Sequence, residues 1–176
     1  MLKNRVSRLW LLPLALFLAG CTAAGPASTP SPSATAKLDT QLIAVMPGTL
    51  DAPTAQTETV RLADAIQALI PTDLVLHVDD HSQLVAKTGG TGHYYAVLRA
   101  ISLQTATDPI AYAKALVASL IRAGWVERTT SDGTTNYLTA LQSSRAATPW
   151  IVLVGGDSSV TDQSVISLQL ASPDLP

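Results

Sequence analysis

Apolar and polar residues recur along this chain with two different periods. Over residues 58–70, Leu62, Ile66, Leu69 and Ile70 fall at i, i+4, i+7 and i+8, while Arg61, Asp64 and Gln67 lie off that stripe. This spacing predicts an amphipathic helix, which Pro71 closes. The period then changes to two. Leu74, Leu76 and Val78 alternate with Val75, His77 and Asp79, the signature of a strand. Residues 79–82 have the composition of a hairpin tip and separate this strand from another over 83–88. Gly89-Gly90-Thr91-Gly92 predicts a loop, and residues 94–103 a longer strand.

A second helix is better marked. Asp108 suits its N-cap and Pro109 its first position, and Ile110, Ala113, Leu116, Val117, Leu120 and Ile121 form its apolar face. Gly124 suits the left-handed closing position, with Trp125 folding back on Leu120. Residues 126–130 and 136–142 flank Asp132-Gly133, a pair suited to the positive φ angles of a tight hairpin turn. Residues 150–154 are continuously apolar and predict a central strand, and Gly155-Gly156-Asp157 predicts a loop after it. Residues 164–170 predict the last strand, with Ile166, Leu168 and Leu170 on one face. Upstream, residues 37–50 fit either an edge strand or a first segment docking on the core, and residues 51–58 read as a polar connection.

The order is then helix, three strands, helix, four strands. Short connections imply an antiparallel sheet, and two single-stripe helices would pack on one face of it. The expected fold class is therefore α+β, with two halves resembling a repeated αβββ unit.

The N-terminus follows a different pattern. Lys3, Arg5 and Arg8 precede an uncharged run over residues 9–18. Spanning a bilayer takes about 20 such residues, so this run matches a signal-peptide core and not a transmembrane helix. It ends in Leu18-Ala19-Gly20-Cys21, a tetrapeptide that resembles the lipobox of bacterial lipoprotein precursors. The resemblance covers residues 1–21 and no further. It implies that residues 1–20 are a signal peptide cut off before Cys21. The Cys21 thiol receives diacylglycerol before that cut, and a further acyl chain such as palmitate joins the new amino group after it. Two or more chains give stable anchoring where one is marginal. The chain would thus sit on the extracytoplasmic side of the cell membrane. In a two-membrane cell, Thr22 after the lipidated Cys resembles lipoproteins sent to the outer membrane.

Composition extends this picture. Residues 22–36 contain only Ala, Gly, Ser, Thr and Pro, a spacer of about 50 Å when fully extended. The expected organisation is a signal peptide over 1–20, lipidated Cys21 and linker over 21–36, and a single α+β domain over 37–176. Cys21 is the only cysteine, so the exported domain has no thiol for a disulfide, a nucleophile or a zinc site. Loss of residues 1–20 leaves eight basic against 13 acidic side chains, a sum of −5. Such a domain is repelled by anionic headgroups and is not a nucleic-acid binder.

Candidate chemistry is sparse. His77, Asp79 and His81 form an H-x-D-x-H pattern that a strand would point to one side, a possible divalent metal site with His93 as a fourth ligand. The competing reading is a hairpin tip, in which a turn starting at Asp79 destroys the shared face. The loop at Gly89–Gly92 lacks the Lys-Ser/Thr of a phosphate loop. Residues 155–159 could hold an anion on backbone amides or simply turn. There is no G-x-S-x-G or H-E-x-x-H motif. Trp125, Trp150, Tyr94, Tyr95, Tyr112 and Tyr137 fit core packing or, alternatively, an aromatic groove for sugar or lipid. The expected function is a membrane-anchored envelope lipoprotein. Its noncatalytic domain would bind a protein or another envelope component without a cofactor. The alternative is a metal or small-ligand binding lipoprotein using His77, Asp79 and His81. A third class, an envelope hydrolase, needs a deep cleft with nucleophile and base in reach.

Overall fold

The computed structural model describes residues 40–46, 48–143 and 148–176. The expected signal peptide over 1–20, Cys21, the expected linker over 22–36 and residues 37–39 lie outside the described residues. All described residues belong to the compact unit Pro32–Pro176.

Helix α1 spans Ala52–Gln67. It begins earlier than the apolar stripe implies because Asp51 caps it. The Asp51 carboxylate accepts from the Thr54 amide at 2.9 Å, and the Thr54 hydroxyl accepts from the Asp51 amide at 3.0 Å. The Thr54 hydroxyl and amide hold the Asp51 carboxyl below its ordinary pKa. The expected polar connection over 51–58 is therefore the cap and first turns of the helix. Strand β1 (Val75–Ala86) follows, then β2 (His93–Leu103) and helix α2 (Pro109–Arg122). Four strands complete the chain: β3 (Trp125–Asp132), β4 (Asn136–Ser143), β5 (Ile151–Asp157) and β6 (Ser164–Ala171). They form one six-stranded sheet in the order β1-β2-β6-β5-β4-β3, antiparallel throughout.

This corrects the expected architecture. Two strands follow α1 and four follow α2, so the αβββ repeat is absent. The tip expected at 79–82 is continuous strand, and 83–88 is not a separate element. The cause is tertiary. Asp80 and Ser82 find partners beside the strand, in the Arg99 guanidinium and in each other, so local turn chemistry has nothing left to satisfy. Gly155 and Gly156, expected in a loop, continue β5. A Cβ at Gly156 would run into the Pro109 carbonyl, so glycine lets α2 approach the sheet. Gly133 does not take positive φ, and its amide instead closes a longer loop on the Asn136 carbonyl at 2.8 Å. Gly124 does take positive φ, at 95°, ending α2.

The strand register places Val97, Ile101, Ile166, Leu168, Leu170, Val152, Val154 and Leu141 on one face, and all are buried. Leu62 and Ile66 of α1 and Leu116 and Leu120 of α2 belong to the same core. Trp150 and Trp125 are buried there too, with indole N–H groups donating to Thr59 Oγ1 at 3.1 Å and to the Leu42 carbonyl at 2.7 Å. Residues 40–46 are clamped onto this core. Arg61 donates to the Gln41 and Ile43 carbonyls, Glu58 accepts from the Val45 amide, and Leu42 is fully buried. They dock on the core, as one of the two sequence readings had it, and form no edge strand.

Candidate functional site

Following the register across the sheet, the residues opposite the core fall into four rows. The first is His77, Ser102, Val165, Asp157 and Asn136; the second is Asp79, Ala100, Ser167, Gly155, Leu138 and Ser131. The third is His81, Leu98, Gln169, Leu153, Ala140 and Thr129; the fourth is Gln83, Ala96, Ala171, Ile151, Gln142 and Val126. On the four inner strands, Asp157 is the one charge among these positions. Leu98, Leu138 and Val126 stand 41%, 43% and 47% exposed. An antiparallel sheet with one face in water ordinarily alternates apolar with polar residues. Here ten of the sixteen open-face positions on the four inner strands are aliphatic or glycine, and β1 and β3 give the face mostly polar margins.

The signal for this face was in the sequence but not used. Residues 94–103 (YYAVLRAISL) and 151–154 (IVLV) are apolar at successive positions, not alternate ones. Such runs belong to strands covered on both faces.

A bulge between Val75 and His77 sets the parity of β1. It places His77, Asp79 and His81 together on the open face, at its edge. His77 Nε2 lies 3.0 Å from Asp79 Oδ1, both exposed. His77 and His81 are four positions apart, about 13 Å along a strand at ~3.4 Å per residue. Among the described residues, no group of three or more His, Cys, Asp or Glu side chains is placed to hold a metal ion. His93 pairs with Ala86 at the other end of β1, and the parity of β2 turns it to the opposite face. Its backbone is occupied by Leu175, whose amide donates to the His93 carbonyl at 2.7 Å.

On the core side of the same edge, Arg99 joins three elements. Its guanidinium donates to Asp80 at 2.7 Å, Asp64 at 2.7 Å and Gln67 at 3.1 Å, and its side chain is 7% exposed. Burial lowers the Arg99 pKa, but the two carboxylates outweigh it and the net direction is upward. Burial likewise pushes the Asp80 carboxyl up, while Ser82 and Arg99 together bring it below its ordinary value. This cluster is a structural bridge between β1, β2 and α1, in which one guanidinium is shared by two partly exposed carboxylates.

A polar groove of about 580 Å³ opens at the start of α2, lined by Thr105, Thr107, Lys114, Thr134, Ser158 and Asp162 among others. Several of its polar groups already have partners. Asp108 caps α2 through the Ile110 and Ala111 amides, Ser164 Oγ donates to the Thr107 carbonyl, and Lys114 pairs with Asp132 at 2.7 Å. Lys114 also lies 5.3 Å from the centre of the Tyr137 ring. The Asp157 carboxylate accepts from the Ser159 amide at 2.7 Å, and the Ser159 side chain and amide lower its pKa. That bond uses one amide of the segment that might have received an anion. Gly89 and Gly92 take positive φ in the β1–β2 connection. Trp125, Trp150, Tyr95 and Tyr137 are buried, while Tyr94 and Tyr112 are half-buried.

No helix among the described residues is long and apolar enough to cross a membrane. No protein-family model, curated protein or solved structure matches the chain.

Proposed function

We propose that this chain is a lipid-anchored envelope protein whose folded domain binds another envelope component through the open face of its sheet. Cys21, lipidated on its thiol before residues 1–20 are removed, holds the chain at the extracytoplasmic surface, and residues 22–36 give the domain its reach. The Leu18-Ala19-Gly20-Cys21 tetrapeptide behind an uncharged run supports the anchor. One observation carries the binding role: an aliphatic, almost uncharged face spanning β2, β6, β5 and β4.

The anchor is tested by expressing the full chain and its Cys21→Ser variant in bacteria fed labelled palmitate. The wild-type chain takes up label and sediments with membranes. The variant takes up none and is not shortened at Gly20. An unlabelled wild-type chain, or equal labelling of both, would overturn the reading.

A further inference from the structure

We propose that the component bound by the open face is a second copy of this chain, so that two sheets meet face to face in an isologous pair. The inference rests on the binding role proposed above and names its partner.

Area comes first. Six strands spaced about 4.8 Å apart, with about seven residues each at ~3.4 Å, present a projected area of roughly 700 Å². Side-chain relief adds to that figure. A stable complex of ordinary size buries about 800 Å² per partner. The face is therefore large enough for a pair without recruiting any other surface.

Charge then selects the partner. A surface meeting its own copy places like beside like, and like charges in contact cost several kcal/mol. Charge on this face is confined to its margins, at Asp157 and at the β1 edge where His77 lies against Asp79, although the exported chain carries a net −5. A different protein docking on an acidic domain would be steered by complementary charge, and the open face offers almost none. Its polar residues suit self-pairing instead. Gln169 and Gln142 each carry both donor and acceptor, and Ser167 does the same, so each can pair with its own counterpart. Gln169 sits in the third row between Leu98 and Leu153, which gives the face an apolar centre with one self-complementary amide. Small residues at Ala96, Ala100, Gly155, Ala140 and Ala171 keep the face flat enough for another sheet to approach. The apolar runs in β2 and β5 are those of strands covered on both sides, which a sandwich of two copies provides.

The test uses the full chain in its own membranes. A photo-crosslinking residue replaces Gln169 at the centre of the face, or Ala118 on the exposed side of α2 as a control. On illumination, the Gln169 probe gives an adduct with the mass of two chains, and the Ala118 probe does not. Adding Leu98→Asp and Leu153→Asp lowers that adduct roughly tenfold by placing like charges in the contact. Ala100→Lys, at an exposed position, does the same should the double variant fold poorly. An adduct of any other mass from Gln169 overturns the second copy but leaves the binding role standing. No adduct from Gln169 overturns both. Equal two-chain adducts from both probes overturn the proposal as nonspecific association.

Discussion

The buried and open faces of the sheet are built from the same strands and differ in what their alternate residues do. In β5, Val152 and Val154 point into the core with no exposure, while Ile151 and Leu153 between them are half-exposed on the other side. The buried face holds large branched side chains, two tryptophans with satisfied indoles, and one arginine paired with two carboxylates. The open face is apolar at its centre and polar at its margins, with smaller residues and with Leu98 and Leu138 left exposed. Burying a leucine fully contributes about 1.5–3 kcal/mol, and Leu98, Leu138 and Leu153 collect only part of that. Apolarity alone therefore does not make a core. A core also needs second-layer elements that deliver side chains to it.

The largest expected effect separates neighbours in one strand. Val152→Asp buries an unpaired carboxylate and should cost about 4 kcal/mol or more, enough to abolish a cooperative thermal transition. Arg99→Ala comes next. It breaks the bridge between α1, β1 and β2 and should cost roughly 2 kcal/mol by denaturant titration. That is less than the 3–5 kcal/mol of a fully buried pair, because Asp64 and Asp80 keep contact with water. The same bridge gives a smaller pH effect. The Asp80 carboxyl lies below its ordinary 3.8 in the folded chain, so its stabilisation is fully present above that value and is lost as pH falls through the lower folded value. The stability difference between the wild-type chain and Asp80→Asn should thus shrink on acidification below about pH 4. The smallest effect belongs to Leu153→Asp. At high dilution, with the open face in water, it should change unfolding free energy by no more than about 0.5 kcal/mol. A loss there as large as that of Val152→Asp would show the two faces to be alike.

Where signals were strong and local, the sequence was legible. Asp108, Pro109 and Gly124 bracket α2, because an N-cap, a fixed φ and a left-handed closure act within a few residues. The last strand was equally clear, since Ile166, Leu168 and Leu170 repeat with the period of two that a half-buried strand requires. The start of α1 was missed because Asp51 and Thr54 signal a cap only as a reciprocal pair. The length of β1 was missed for a different reason. Asp79, Asp80 and Ser82 carry turn propensity, and the partner that overrides it, Arg99, arrives from the adjacent strand.

For the candidate site, residue identity and residue placement diverged. The histidines drew attention by their chemistry, whereas Leu98, Gln169 and Leu153 are ordinary residues whose meaning comes from being neighbours. Local sequence was enough to specify the two periods, the caps and an N-terminal pattern resembling a lipobox, because each depends on residues within a turn or two of one another. Strand order, the parity set by the bulge at Val75/His77, and the separation of one covered face from one open face belong to the tertiary structure alone. Those features arise from contacts between segments up to 91 residues apart, such as Trp150 on Thr59, whose partners no local pattern encodes.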